Sequence, residues 1–233
     1  AAYGVNQTIQ GWRHLEAQTV AWPGGWVGVH RKRGESRAHR LSGDRALHFL
    51  GLRALEANFF VRPDNRVGGV EALRERLVAL GLEASALVFG LAQFDSATEA
   101  RASKLWDITA LQRGYGEEIG RLSRSRRRLA TPGNSRAMVE TFRVGGQAIR
   151  QLVLDPLLPE EISPGEKRKA LAACMLDYDA FGRGCWADFL AEHGVLHPRT
   201  PADLGGAAGS ESLALIPESG APGDFDLAAA AAK

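Results

Sequence analysis

The sequence predicts an α+β protein in which a strand-and-helix unit is followed by a unit of helices alone. Two observations carry this. Between Trp22 and Phe94, segments with apolar residues two apart or in short runs alternate with segments spaced at three and four. Beyond about residue 100 the spacing is three and four throughout. The chain divides accordingly into an irregular segment that reads as a linker or the remnant of something upstream (1–20), a sheet unit (21–98), a helical unit (99–199) and a tail (200–233).

The Pro23-Gly24 turn opens the sheet unit, and Gly25–His30 alternates as a strand. Ser42-Gly43-Asp44 is a helix-start signal, with Ala46, Leu47 and Leu50 on one face behind it. Leu52–Leu55 and Asn58–Val61 predict two short strands, ended by Pro63-Asp64. Val70, Leu73, Leu77 and Leu80 recur at helical spacing up to Gly81, and Ala86–Phe89 predicts a buried strand. Strand, helix, two strands, helix, strand is the order of a split βαβ, ferredoxin-like unit. Two helices cover only one face of such a sheet, so the other face is expected to need a second copy or another domain.

Three amphipathic helices follow. Leu105, Ile108, Leu111, Tyr115, Ile119 and Leu122 form the first stripe. Met138, Phe142, Gly146, Ile149 and Val153 form the second, which runs from about Ser135 and stops before Pro156. Leu171, Cys174, Met175, Tyr178, Phe181, Cys185 and Phe189 form the third. Three such stripes need a shared core, which predicts a small bundle. Gly145-Gly146 and Gly182/Gly184 weaken their helices by about 1 kcal/mol each relative to alanine, so close packing or a pocket wall is expected there. The tail is rich in Gly, Ala and Pro with little to bury, and is expected to be disordered or loosely attached.

Charge is nearly balanced along the chain, at 29 basic and 27 acidic residues, but it is unevenly spread. The first 62 residues hold nine Arg or Lys against four Asp or Glu, and the last 33 hold five acids against one Lys. A basic working surface and an acidic tail are expected. Cys174 and Cys185 are eleven residues apart, roughly 16 Å on a continuous helix, which is too far for a disulfide. Reduced thiols, with no secretory leader or apolar run long enough to span a membrane, predict a cytoplasmic protein.

Signals for catalysis are weak. The sequence has no Gly-rich phosphate loop and no nucleophile elbow. His193 and His197 are spaced to share a metal, but Gly194 and Pro198 end the helix there, so no metal site is expected. Glu117-Glu118 and Glu160-Glu161 are taken as solvated. Two basic clusters are denser than a helix cap requires: Arg31-Lys32-Arg33 with Arg37 and Arg40, and Arg121, Arg124, Arg126, Arg127 and Arg128. Both suit phosphate, on nucleic acid or on a nucleotide-bearing ligand.

Four blocks, in order, carry a family resemblance. Trp22-Pro23-Gly24-Gly25-Trp26 resembles the W-x-G-x-W opening of the central domain of PaaX-type transcriptional repressors, the regulators of phenylacetate degradation. Gly51-Leu52 through Phe60-Val61-Arg62-Pro63 is similar to their second sheet segment. Trp106-Asp107-Ile108 with Leu111 and Tyr115 resembles their W-D-L-x-x-L-x-x-x-Y helix. Arg150 through Glu160, with Asp155-Pro156-Leu157-Leu158-Pro159 at its centre and Pro164 behind, is similar to their R-x-x-L-x-D-P-x-L-P segment and is the most specific of the four. The resemblance spans about residues 17–195.

It implies a Cas2-like ferredoxin-like domain that forms a homodimer, and a C-terminal helical domain. It further implies a repressor of aromatic catabolism that an aryl-coenzyme A thioester, such as phenylacetyl-coenzyme A, releases from operator DNA. Operator reading in such regulators belongs to an N-terminal winged helix. No helix-turn-helix pattern precedes Trp22, so that module is expected outside this chain. An effector with an apolar end and several phosphates needs apolar walls and arginines. Trp106 and Tyr115, then Arg121, Arg124, Arg127 and Arg128, are the expected contacts, spread over about 33 Å of helix. Arg31 and Lys32 form the rival site. No catalytic residue and no cofactor are expected. Two alternatives remain: a Cas2-like metal-dependent nuclease, and a protein-interaction module without a ligand. The nuclease needs an acidic residue at the end of the first strand, where this chain has His30-Arg31-Lys32.

Overall fold

Four strands form one antiparallel sheet: β1 (Trp26–His30), β2 (Arg53–Glu56), β3 (Phe59–Pro63) and β4 (Leu87–Leu91), in spatial order β2-β3-β1-β4. A computed structural model describes residues 11–32, 36–129 and 135–192. Helix α1 (Arg37–Phe49) joins β1 to β2, and α2 (Gly69–Ala79) joins β3 to β4. Each crossover skips one strand, so β1 and β2 run parallel with β3 between them. The β2–β3 hairpin turns at Asn58, whose φ of 60° is left-handed backbone that asparagine tolerates. The chain is thus α+β, and it continues as α3 (Ser96–Ala102), α4 (Ile108–Arg128), α5 (Ser135–Val153) and α6 (Glu166–Glu192).

Alternation along the strands sorts the core. Val27 and Val29 point to one face, where Ala46, Leu47, Leu73 and Leu77 of α1 and α2 bury them. Trp26 and Val61 point to the other, against Ala102, Trp106 and Leu158. The face expected to stand open is therefore covered, at its Trp26 end, by the chain's own α3, the entry to α4 and the 156–162 segment. At the opposite end Phe59 and Phe89 stack 6.1 Å apart over Gly28, where an added Cβ would come within 3.0 Å of both rings. Beside them Leu87, on the edge strand, is 58% exposed.

Four further expectations are corrected. Helix α1 begins at Arg37 rather than at Ser42, because Ser36 caps it: the Ser36 Oγ accepts the His39 N–H at 3.2 Å. Helix α3 was not anticipated. Asp95 caps it by accepting the Ala97 and Thr98 N–H groups, each at 3.0 Å. Residues 11–18 are not a spacer: they form two 3-10 turns that sink Trp12 and Leu15 into the bundle core with Tyr115, Leu152 and Tyr178.

The fourth correction concerns α5. Its buried face is Ala137, Thr141, Val144, Ala148 and Leu152, one step round from the predicted stripe, and Phe142 is 70% exposed. Small residues face inward because α5 packs closely on α4 and, at Gly145 and Gly182, meets α6. A Cβ at Gly145 would stand 3.2 Å from Met175, and one at Gly182 would touch Thr141. The glycine pairs were expected to mark close packing, and Gly145 and Gly182 do. Gly146 and Gly184 face open space. The expected tail, the His193/His197 pair and residues 1–10 lie outside the described residues.

Candidate functional site

The most connected polar cluster lies where the helices meet the sheet, and the 155–158 segment makes it. After α5 ends, Asp155 turns the chain by accepting the Leu157 N–H at 2.7 Å, and Leu157 takes a φ of 49°. The turn aims successive carbonyls at three different donors. Arg62 Nη2 donates to Pro156 O at 3.2 Å, Asn65 Nδ2 to Leu157 O at 2.7 Å, and Arg168 Nη1 to Leu158 O at 3.3 Å.

Arg62 is buried at the end of β3 and also donates to Leu50 O, to Pro63 O at 3.2 Å and to Asn65 Oδ1 at 3.1 Å. No carboxylate hydrogen-bonds it among the described residues. Burial, then repulsion from Arg66, pushes its guanidinium down to about 9, which still leaves it charged at neutral pH. Gly51 completes the joint. Its φ of +80° favours glycine, and a Cβ there would sit 2.9 Å from Pro156 Cα.

Two more groups close the cluster from the helical side. The Tyr115 hydroxyl, from the middle of α4, donates to Asp155 Oδ2. Arg168, near the start of α6, lies 4.0 Å from Asp155 Oδ1 and pairs with Glu16 at 3.2 Å. Burial pushes the Tyr115 phenol well above the usual range, and the Asp155 carboxylate adds to it. A second buried contact, Ser125 Oγ to Tyr178 OH at 2.7 Å, ties α4 to α6. Beside the joint, a cavity of about 20 Å³ lined by Gln18, Arg66, Asp155 and Leu152 has room for one water.

The expected effector residues are not gathered in one pocket. Trp106 is buried between sheet and helix, stacked 6.3 Å from Trp26, with its Nε1 donating to Gly51 O at 3.2 Å. Tyr115 is in the core. Neither offers a free wall to a ligand, because the joint uses both their rings and their polar atoms. Arg31 is likewise buried, 3.0 Å from Asp44, with its guanidinium over the Phe60 ring. Lys32 is exposed.

The arginines of α4 divide further. Arg121 pairs with Glu118 at 3.0 Å, and Arg128 with Glu140 at 2.6 Å. Arg124 and Arg127 are exposed and, among the described residues, have no carboxylate partner. On the same outward face, an open shallow groove lies between α4 and α6, lined by Ile108, Gln112, Arg113, Pro164 and Lys167. Sequence reasoning missed Arg62, Asn65, Arg168 and Glu16, whose partners are far away in the chain.

Among the described residues no cluster of His, Cys, Asp or Glu is placed to hold a metal ion, and no helix is long and apolar enough to cross a membrane. No family model matches the sequence, and no curated protein does. Among solved structures the chain is similar to an uncharacterized protein, Rv0674, from Mycobacterium tuberculosis. That likeness has a TM-score of 0.56 at 20% identity, covering 82% of this chain and 72% of that one. At this identity it speaks to the fold alone.

Proposed function

We propose that this chain is the dimerising and effector-sensing part of a PaaX-type transcriptional repressor of aromatic catabolism, built on a ferredoxin-like, Cas2-like split βαβ unit. One observation carries the reading. The four sequence blocks that bear the resemblance are spread over more than a hundred residues, yet they converge on one joint through Trp26, Gly51, Arg62, Trp106, Tyr115 and Asp155–Leu158. Such a joint is what a repressor needs between a dimerising sheet and a ligand-sensing bundle. The strand order β2-β3-β1-β4 with two β-α-β crossovers supports the ferredoxin-like assignment.

The effector site moves with the geometry. An aryl-coenzyme A thioester lies along the outward face of α4, its acyl end in the groove at Ile108 and Gln112 and its phosphates on Arg124 and Arg127. Gln112 and Arg124 are twelve residues apart, about 18 Å of helix, within the reach of one extended ligand. Titration calorimetry with phenylacetyl-coenzyme A tests this. The native chain should bind, and Arg124→Glu/Arg127→Glu should weaken binding at least ten-fold while Lys32→Glu leaves it unchanged. No heat with the native chain at high micromolar ligand would remove the effector reading.

The nuclease alternative puts a cation at the end of β1, where the Arg31 guanidinium already pairs with Asp44. Dimerisation uses what the chain leaves uncovered, the β4 edge with Leu87 and the Phe59–Phe89 stack. Sedimentation at micromolar concentration should give twice the 25.1 kDa mass for the native chain and a monomer for Leu87→Lys. A native monomer would remove the dimer from the reading.

A further inference from the structure

We infer that the outward face of α1, with Lys32 beside it, is a docking surface for the sugar–phosphate backbone of duplex DNA, separate from the effector face of α4. Lys32, Arg37, Arg40 and Arg45 are all exposed. Among the described residues none of their side chains has an ion pair or hydrogen bond. The neighbouring carboxylate, Asp44, is engaged by Arg31 from below. What remains is Lys32 beside the helix and three arginines along its thirteen residues, about 20 Å, with no unengaged acid on the helix among the described residues.

The placement of these charges argues against a role in stabilising the helix. The first turn of α1 carries no acidic residue, and Arg37 occupies its first position. Positive charge there opposes the helix macrodipole. Arginines at the far end of α4 do the reverse and stabilise their own helix.

The chemistry of the face selects the polyanion. Its exposed large apolar side chain is Leu41, and its exposed rings are the imidazoles of His39 and His48, with no exposed Phe, Tyr or Trp. A membrane-surface helix needs a broad apolar face to insert, and single-stranded nucleic acid binds by stacking on aromatic rings. The face offers neither a broad apolar stripe nor a Phe, Tyr or Trp to stack on. Arginine forks spaced along a rigid rod suit the regularly repeating phosphates of a duplex. The inference rests on charge and exposure, so it stands or falls apart from the effector reading.

Fluorescence anisotropy with two unrelated 20-base-pair duplexes, titrated from 50 to 200 mM salt, provides the test. The native chain should bind both alike, and log Kd should rise with log salt at a slope of about 0.9 per phosphate neutralised, near 3–4 in all. Arg37→Glu/Arg40→Glu/Arg45→Glu should weaken binding at 50 mM salt at least thirty-fold and lower the slope by about 3. Arg124→Glu/Arg127→Glu should stay within two-fold of native. Circular dichroism checks that each variant folds, and Arg37→Ala/Arg40→Ala/Arg45→Ala replaces the reversal should that one unfold. Unchanged affinity in a folded α1 variant, or loss in the α4 variant alone, overturns the inference. So does α1-dependent sedimentation with phosphatidylserine vesicles when duplex binding is absent. Duplex binding without coenzyme A binding would retain this inference and remove the effector reading.

Discussion

Replacing Arg62 by methionine should cost about 4 kcal/mol of stability or more, read as a lowered midpoint in urea denaturation. A buried charge is often a net burden, and an apolar residue of similar shape can replace a buried ion pair at little cost. Arg62 differs because it satisfies backbone rather than another charge. Leu50 O, Pro63 O, Pro156 O and Asn65 Oδ1 all accept from it. Removing the guanidinium leaves several buried acceptors unsatisfied at about 1–3 kcal/mol each. Against a whole-domain stability of roughly 5–15 kcal/mol, such a variant sits near its unfolding threshold. Arg62→Lys should recover little, since one ammonium cannot reproduce the planar fork that reaches β3 and the 155–158 turn together. A methionine variant within 1 kcal/mol of native would mean the joint does not depend on this residue.

Much of the site was legible as composition and little of it as geometry. The two basic clusters are plain in the sequence, but residue type does not reveal burial. Arg31 and Arg124 read alike, yet one is locked under Asp44 and Phe60 while the other is exposed. Trp106 and Tyr115 read as ligand-facing aromatics because the helix stripe says only that they lie near its buried face. What fills that face is Gly51 O for one and Asp155 for the other, 55 and 40 residues away. Arg62 was legible only as a member of the Phe60–Pro63 block and not as the centre of a joint, because its partner Pro156 lies 94 residues on. The Asp-Pro-Leu-Leu-Pro run was legible as a distinctive motif, and the structure supplies its physical reason. A proline-flanked turn presents three consecutive carbonyls outward, which no helix or strand would leave free.

The fold was most legible where one face of an element is buried. Strands β1, β3 and β4 and helix α2 fall close to where alternation and periodicity put them, because each sheds a regular apolar face into the core. Legibility failed where small or polar residues set the structure. Helix α5 buries Ala137, Thr141 and Ala148 and exposes Phe142, since close approach of two helices is worth more than burying one large ring. The start of α1 was missed because a serine cap three residues before a histidine leaves no mark in hydrophobicity. Trp12 was missed because a lone buried tryptophan in a turn has no period to betray it.

Asp155 should be the second large effect, and its substitutions should form a graded series. Asp155→Ala removes the acceptor for the Tyr115 hydroxyl and for the Leu157 N–H, and leaves Arg168 short of a carboxylate, at about 3–5 kcal/mol. Tyr115→Phe deletes one donor only and should cost about 1–2 kcal/mol. The informative member is Asp155→Asn. Burial raises the pKa of the Asp155 carboxyl, whereas Tyr115, Arg168 and the Leu157 N–H favour its charged form. Burial has the larger effect, so the carboxyl sits above the usual carboxylate range, while two hydrogen-bond donors and a guanidinium 4.0 Å away oppose it. The amide keeps an acceptor for Leu157 but loses the attraction to Arg168, so it should cost about 2 kcal/mol in urea denaturation at pH 7. Were Asp155 protonated in the fold, the same substitution would be nearly neutral, and a loss below about 0.5 kcal/mol would decide for that state. A cycle through Tyr115→Phe and Asp155→Asn then separates the two, because an ionised acceptor should couple to the phenol by about 1–2 kcal/mol and a neutral one by less.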